Sequence, residues 1–523
     1  MKKYFACVLA LILVLSGCAS KGEGETTTNP IAENYIEGTQ IVLSDSGITV
    51  DGATASTDST QAVYTANDIV FYLAGQDFTY GEGTEADGHE QSEADKHTVV
   101  HITKPGTYVL SGKLSAGQIA VDLGEDAEND SKAVVTLVLN NVDITCTVAP
   151  GIIFYNVYEC CFADEETATK DVDTSKAGAN ILIADNSTNT VNGSYVAKIY
   201  KSYELNEDGT EIVDSKKLHK YDGAVYSKKT MNINGQTAGN GILNINAENE
   251  GLDSELHLTI NGGVININSG NDGINTNEDY VSVTTINGGT LNITVNGSTG
   301  EGDGIDSNGW LVINGGNVNA YACSKSGDAG IDSDMGIYIN GGSVCATGNM
   351  LDRIAGGSQT YIVLQFAESQ KAKTAYSLKN SSGDIVATYI PENDFIYLLV
   401  AGSYIKEGDY TLHSNLGQYE GVVDLVGFDM GGMPEGEMPQ RPDGEAPQMP
   451  NGEMPQKPEG ERPQMPEGEV PQMPEGGVPQ MPQGGMVGGP GQGSFGAIGE
   501  TTSVFAISSG GNTISNVRLM TKE

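Results

Sequence analysis

The chain has 523 residues, and 69 acidic against 27 basic side chains give it a formal charge of −42. Binding a phosphate backbone needs clustered lysine and arginine, so nucleic acid is excluded as a partner. Glycine, at 69 residues, is about twice as frequent as the usual ~7%, which favours turns and short strands; the length allows several domains or one long solenoid.

Lys2 and Lys3 precede an apolar run over residues 4–15, and Leu15-Ser16-Gly17-Cys18 follows. The run is shorter than the ~20 residues that span a bilayer. It resembles a bacterial lipoprotein signal. That resemblance implies removal of residues 1–17, lipid on the Cys18 thiol, and a chain anchored to the bacterial membrane outside the cytoplasm, with residues 18–60 as anchor and tether. No later stretch is apolar enough to span, and Cys146, Cys160, Cys161, Cys323 and Cys345 show no zinc-ligand spacing. They are expected as small buried strand residues, with one disulfide allowed but its pairing left open.

Short β runs separated by turn residues come next: Val99-Val100-His101-Ile102, Tyr108-Val109-Leu110 after the turn Lys104-Pro105-Gly106-Thr107, Ile119-Ala120-Val121, residues 134–139 and Ile181-Leu182-Ile183. Residues 201–217, centred on Glu207-Asp208-Gly209-Thr210, read as a hairpin inserted between coils.

A repeat then takes over. Ile-Asn-Gly begins at Ile233, Ile260, Ile286, Ile313 and Ile339, in steps of 27, 26, 27 and 26 residues. This period suits a parallel β-helix in which short strands and turns make one coil and coils stack at ~4.8 Å. In that register Ile265, Leu291, Val318 and Val344 share a column, as do Ile267, Ile293, Ala320 and Ala346. Asn266, Asn292, Asn319 and Cys345 lie between them on the opposite face, and Asn261, Asn287, Asn314 and Asn340 open a turn. Stacked asparagines form amide ladders, a structural role, and the glycines after them supply backbone conformations closed to other residues. The expected fold is therefore all-β: a right-handed parallel β-helix over residues 61–353, closed by a small antiparallel β cap over 354–429. A disordered Pro/Met/Gly-rich insert over 430–493, with glycine every eight residues from Gly436 to Gly484, precedes strands in 494–523 that return to the cap.

The chemistry sits in short acidic motifs before each Ile-Asn-Gly: Glu250-Gly251-Leu252-Asp253, Asp272-Gly273-Ile274-Asn275, Asp303-Gly304-Ile305-Asp306 and Asp328-Ala329-Gly330-Ile331-Asp332. Asp253, Asp306 and Asp332 each lie seven residues before their isoleucine, which predicts a column of carboxylates on the outside with Leu252, Ile274, Ile305 and Ile331 facing inward. Carboxylates ~4.8 Å apart repel by roughly 3 kcal/mol at an effective dielectric of ~20. Between Asp222 and Met350 only Lys228, Lys229 and Lys325 are basic, against 14 acidic residues. A hard cation is the natural compensation, and calcium accepts carboxylate and carbonyl oxygens in flexible geometry. The candidate ligands are Glu250, Asp253, Asp272, Asn275, Asp303, Asp306, Asp328 and Asp332.

Gly106-Thr107-Tyr108-Val109-Leu110-Ser111-Gly112, Leu137-Val138-Leu139-Asn140-Asn141-Val142 and the repeated Asp-Gly-Ile-Asp and Ile-Asn-Gly-Gly motifs together resemble the secreted carbohydrate-binding domain family built on a polysaccharide-lyase-like right-handed parallel β-helix. The resemblance implies calcium along the coils and binding of polygalacturonate and cellulose without a need for catalysis. This chain departs from the pattern at Tyr226, where the first repeat lacks the aspartate, and at Asn275, displaced by a longer insertion.

The expected function is a surface-anchored, calcium-dependent polysaccharide binder with no catalytic residues. The alternatives are a pectate-lyase-like polysaccharide lyase and a cell-surface adhesin scaffold. A lyase base has no obvious candidate among the three lysines and Arg353. Trp310 is as well suited to packing as to sugar stacking, and carbohydrate-contacting residues are not assigned by sequence.

Overall fold

Apolar residues at every second position, broken by glycine and asparagine turns, build a chain almost wholly of strands in the computed structural model, which describes residues 37–423 and 500–520. Cys18 and the octapeptide tract lie outside the described residues. The described chain holds only three short helical turns, at Glu85–Asp87, Gln91–Ala94 and Glu125–Asn129. The fold is all-β: a large mixed sheet of 27 strands, a seven-stranded sheet and a two-stranded ribbon.

Within the large sheet the repeats stack as two parallel ladders. One runs through Ala179–Ile183, Met231–Gly235, Leu258–Ile260, Val283–Ile286, Trp310–Ile313, Gly336–Ile339 and Ile354–Gly356. The other runs through Thr188–Gly193, Ile242–Ala247, Val264–Ser269, Thr290–Val295, Asn317–Tyr321 and Ser343–Gly348. The seven-stranded sheet supplies a third stack, from Val63–Ala66 to Ile274–Thr276, parallel except at its first pair. Ile233, Ile260, Ile286, Ile313 and Ile339 are register partners in turn and all are buried. Each such side chain removed from water contributes about 1.5–3 kcal/mol.

The asparagines close on one another. Asn261, Asn287, Asn314 and Asn340 each donate Nδ2 to the Oδ1 of the asparagine one repeat earlier at 2.8–2.9 Å. Asn266, Asn292 and Asn319 do the same at 2.8–2.9 Å, and that ladder ends where Cys345 faces Asn319. The second glycine of each turn, Gly263, Gly289, Gly316 and Gly342, has φ between +81° and +90°, a conformation costly for any residue with a Cβ.

Three boundaries differ from expectation. The tether was expected to reach residue 60, yet Thr39–Leu43 pairs in parallel with Gly106–Leu114, with Ile41 and Leu43 buried and Val42 exposed. Three apolar residues without a repeat give too weak a signal to separate a strand from a linker. The parallel pairing also persists to Ile354–Gly356, just past the expected start of the cap. The inserted hairpin is wider than residues 201–217, pairing Val196–Leu205 with Ile212–Tyr221.

Phe395–Gly402 lies antiparallel on both Ser343–Gly348 and Tyr361–Gln370, so the free edge of the last repeat is covered. Phe366, Tyr376, Phe395 and Tyr419 meet edge-on or tilted in a separate aromatic core there. Phe505–Ile507 and Gly511–Leu519 pair with strands of this region. Cys146, Cys323 and Cys345 are free and buried, while the adjacent Cys160 and Cys161 form a disulfide.

Candidate functional site

The seven-stranded sheet positions the acidic motifs. Val100, Ile119, Ile152, Val225, Leu252 and Ile274 form its inward column, and His101, Ala120, Ile153, Tyr226, Asp253 and Asn275 the outward one. A bridge from Ile274 to Ile305 and backbone bonds from Asp306 to Ile274 and from Asp332 to Ile305 continue the stack. The glycine of each motif lies where the next repeat presses closest: a Cβ on Gly273 would sit 2.1 Å from Ile293 Cγ2, and one on Gly304 2.3 Å from the Gly330 carbonyl oxygen.

Two expectations about this column need correction. The carboxylates were expected on the open outer surface, but Asp253 is 0%, Glu250 5% and Asp272 9% exposed. The base of the hairpin causes this on the first repeats. Lys220 pairs with Asp222 at 2.6 Å, Lys217 pairs with Glu255 at 3.0 Å, and Tyr226 donates its hydroxyl to Glu255. Asn275 is also not displaced: it stands directly opposite Asp253. The longer insertion is absorbed after it, in residues 277–282, before the strand Val283–Ile286 begins. Tyr226 does occupy the aspartate position of its repeat, opposite Asp253.

Asp222, Glu250 and Asp253 converge, each offering an oxygen within 4.8 Å of the others. Asn275 donates Nδ2 to Glu250 Oε1 at 3.3 Å and Asn277 donates to Asp253 Oδ1 at 2.8 Å. Glu250 Oε2, Asp253 Oδ2 and Asn275 Oδ1 are buried with no partner. Burial foremost, and then the charges of its neighbours, pushes each of Glu250 and Asp253 well above the carboxylate range. Asp222 is raised by burial against the opposing charge of Lys220. Orphaned carboxylate oxygens are costly inside a protein, and a set of oxygen donors alone fits a hard cation such as calcium.

The other expected ligands are arranged differently. Asp272 Oδ1 accepts from the Asp303 backbone N–H at 2.6 Å, Asp303 Oδ1 from Ala329 at 2.6 Å, and Asp328 Oδ2 from Gly302 at 2.8 Å. These three tie repeat to repeat. Burial raises Asp303 to about 9 and Asp272, Asp306 and Asp332 to about 7, with neighbouring aspartates adding to it. Asp332 Oδ1 is again buried and unpaired. The eight expected residues thus make a chain of seven carboxylates and one amide, Asn275, of which only Glu250 and Asp253, with Asp222, meet as a cluster of acidic groups among the described residues.

Asp222, Lys220 and Asn277 were missed. Asp222-Gly223-Ala224-Val225 is the motif of its repeat with one residue added, as in Asp328-Ala329-Gly330-Ile331, and that spacing was the available signal. Of the other basic residues, Lys229 pairs with Glu128, Lys325 donates to the Gly297 carbonyl at 2.6 Å and Arg353 to that of Met335 at 3.1 Å. Trp310 packs beside Val283 and opposite Gly336.

No curated protein matches the sequence. Among solved structures the chain is similar to the polysaccharide lyase-like protein from C. thermocellum, in its gadolinium derivative, at 21% identity and a TM-score of 0.32, over 61% of this chain and 99% of that one. The family model described as carbohydrate-binding domain-containing protein matches residues 96–388, more than half of the sequence, and the chain belongs to that carbohydrate-binding family.

Proposed function

We propose that this protein is a calcium-dependent polysaccharide-binding protein of the cell surface, tethered through lipid on Cys18, and that its three strand stacks wind as a right-handed parallel β-helix. The handedness follows the general rule for parallel crossovers. The observation that carries the calcium reading is the pair of buried, unpartnered oxygens on Glu250 and Asp253 beside Asp222. Among the described residues Lys220 is the one cation ion-paired with these three carboxylates, so they keep an excess of negative charge. Asp222, Glu250, Asp253 and Asn275 would hold the ion, with Asp306 and Asp332 extending the column. Bound calcium would offset the excess negative charge of this stack from within, which lowers its repulsion of an acidic glycan such as polygalacturonate; cellulose is the neutral alternative.

Binding without bond cleavage is the better reading of the same geometry. Burial acts to lower the Lys220 ammonium, but Asp222 outweighs it and the net shift is upward, so this lysine stays protonated and is a poor base for β-elimination. Native electrophoresis through polygalacturonate, with calcium and then with EDTA, is the test, read together with the ultraviolet absorbance of unsaturated product. Retardation lost on chelation without new absorbance is the expected result. Rising absorbance would make the protein a lyase, and no retardation in either condition would remove polygalacturonate as the ligand.

A further inference from the structure

The outward column changes character along its length. Beyond Tyr226 it passes from carboxylates to Ile153, Ala120 and His101, and there a cleft of about 350 Å³ opens between the hairpin strand Ile212–Tyr221 and the seven-stranded sheet. Ala120, the smallest side chain of the column, leaves the space. Tyr155 and Tyr221 form one wall, their rings 5.5 Å apart at 76°. His101 forms the other, stacked on Tyr64 at 4.4 Å. Asp68 Oδ1 takes His101 Nε2 at 2.8 Å, and Asp122 Oδ1 takes Asn156 Nδ2 at 2.9 Å. Each carboxylate therefore presents a second oxygen to an outside donor.

We propose that this cleft is a second, calcium-independent subsite that takes a neutral sugar residue. The inference rests on the reading of the protein as a glycan binder and adds to it where a sugar lies and of what class. Aromatic walls suit the apolar C–H face of a pyranose, and carboxylates accept hydrogen bonds from its hydroxyl pairs. The volume stands at the low end of the roughly 300–1,000 Å³ of small-ligand pockets, matching a sugar unit rather than a long stretch of chain. Two carboxylates against one exposed lysine, Lys228, disfavour a uronate, which the calcium cluster suits instead. Burial first, with Tyr221 and Asp122 adding, keeps the Tyr155 hydroxyl protonated; it donates to Tyr221 and so holds the two rings as one wall.

Calorimetric titration of the whole protein with cellotetraose, mannotetraose, xylotetraose and tetragalacturonate, each in calcium and in EDTA, tests this. At least one neutral tetraose is expected to bind equally well in both conditions. Its affinity is expected to fall about tenfold in Asp68→Asn and in Asp122→Asn, the cost of weakening one hydrogen bond to a charged partner. Unchanged melting midpoints would show both variants folded. No neutral binding, neutral binding lost in EDTA, or full affinity in both variants would overturn the subsite. Failure of the calcium reading is a separate outcome: tetragalacturonate binding insensitive to EDTA, with the neutral arm intact.

Discussion

The asparagine ladder and the carboxylate column repeat with the same period on two stacks of one fold, and repetition acts on them in opposite senses. An amide carries donors and an acceptor, so Asn319 gives to Asn292 and Asn292 to Asn266 with no help from elsewhere. A carboxylate only accepts. Glu250 and Asp253 each satisfy one oxygen with an amide and leave the other buried and unpaired. Each added repeat brings an amide its partner and brings a carboxylate a like charge. A column that satisfies itself needs only a structural explanation; for the one that does not, the partner we propose from outside the chain is calcium.

Removing that outside partner has the largest expected effect. In EDTA at about pH 8 the melting midpoint should fall on the order of 3–5 °C, from ~3 kcal/mol of linkage at saturating calcium and roughly 1–1.5 °C per kcal/mol for a chain of this size. Calorimetry reads it, and an unchanged midpoint would mean that the column needs no cation. Replacing Glu250→Gln together with Asp253→Asn should stabilise the calcium-free protein by about 2 kcal/mol, since a buried repulsive pair is neutralised, and should shrink the response to calcium. A variant that stays fully calcium-responsive would break the assignment to this cluster.

The pH dependence separates the two columns further. Asp303 titrates near 9, and Asp272, Asp306 and Asp332 near 7, all above their unfolded values. Groups raised in the folded state contribute stability that is whole below about pH 4 and lost as pH rises through about 7 to 9. The calcium-free protein should therefore weaken across that range in denaturant titrations, and calcium should flatten the loss because it binds the deprotonated forms. Falling stability toward acid in EDTA would contradict this. The smallest effect belongs to the ladder: Asn292→Ala should cost about 1–2 kcal/mol by an amount that neither pH nor calcium changes. A calcium-dependent cost there would blur the distinction between the columns.

Much of the repeat was legible because one residue type recurs at one spacing. Ile233 to Ile339 and the asparagines stand in register as their period implies. What lacked a period was lost: Thr39–Leu43 reads as a linker, though it pairs with Gly106–Leu114. At the site, the motifs named Glu250 and Asp253 but placed them in water, because the hairpin that covers them is a non-repeating insertion whose packing no spacing reveals. Asp222 and Lys220 sit at that hairpin's base, and the cleft beside it depends on Asp68, Asp122 and Tyr155, brought together from separate stretches of the sequence.

Counting calcium tests the central claim most directly. Equilibrium dialysis followed by metal analysis of the native protein and of Glu250→Gln with Asp253→Asn should find calcium bound to the first and fewer ions per chain on the second, with retardation in polygalacturonate falling alongside. Equal calcium on both proteins, or none on either, would contradict the assignment of these buried carboxylates to a cation.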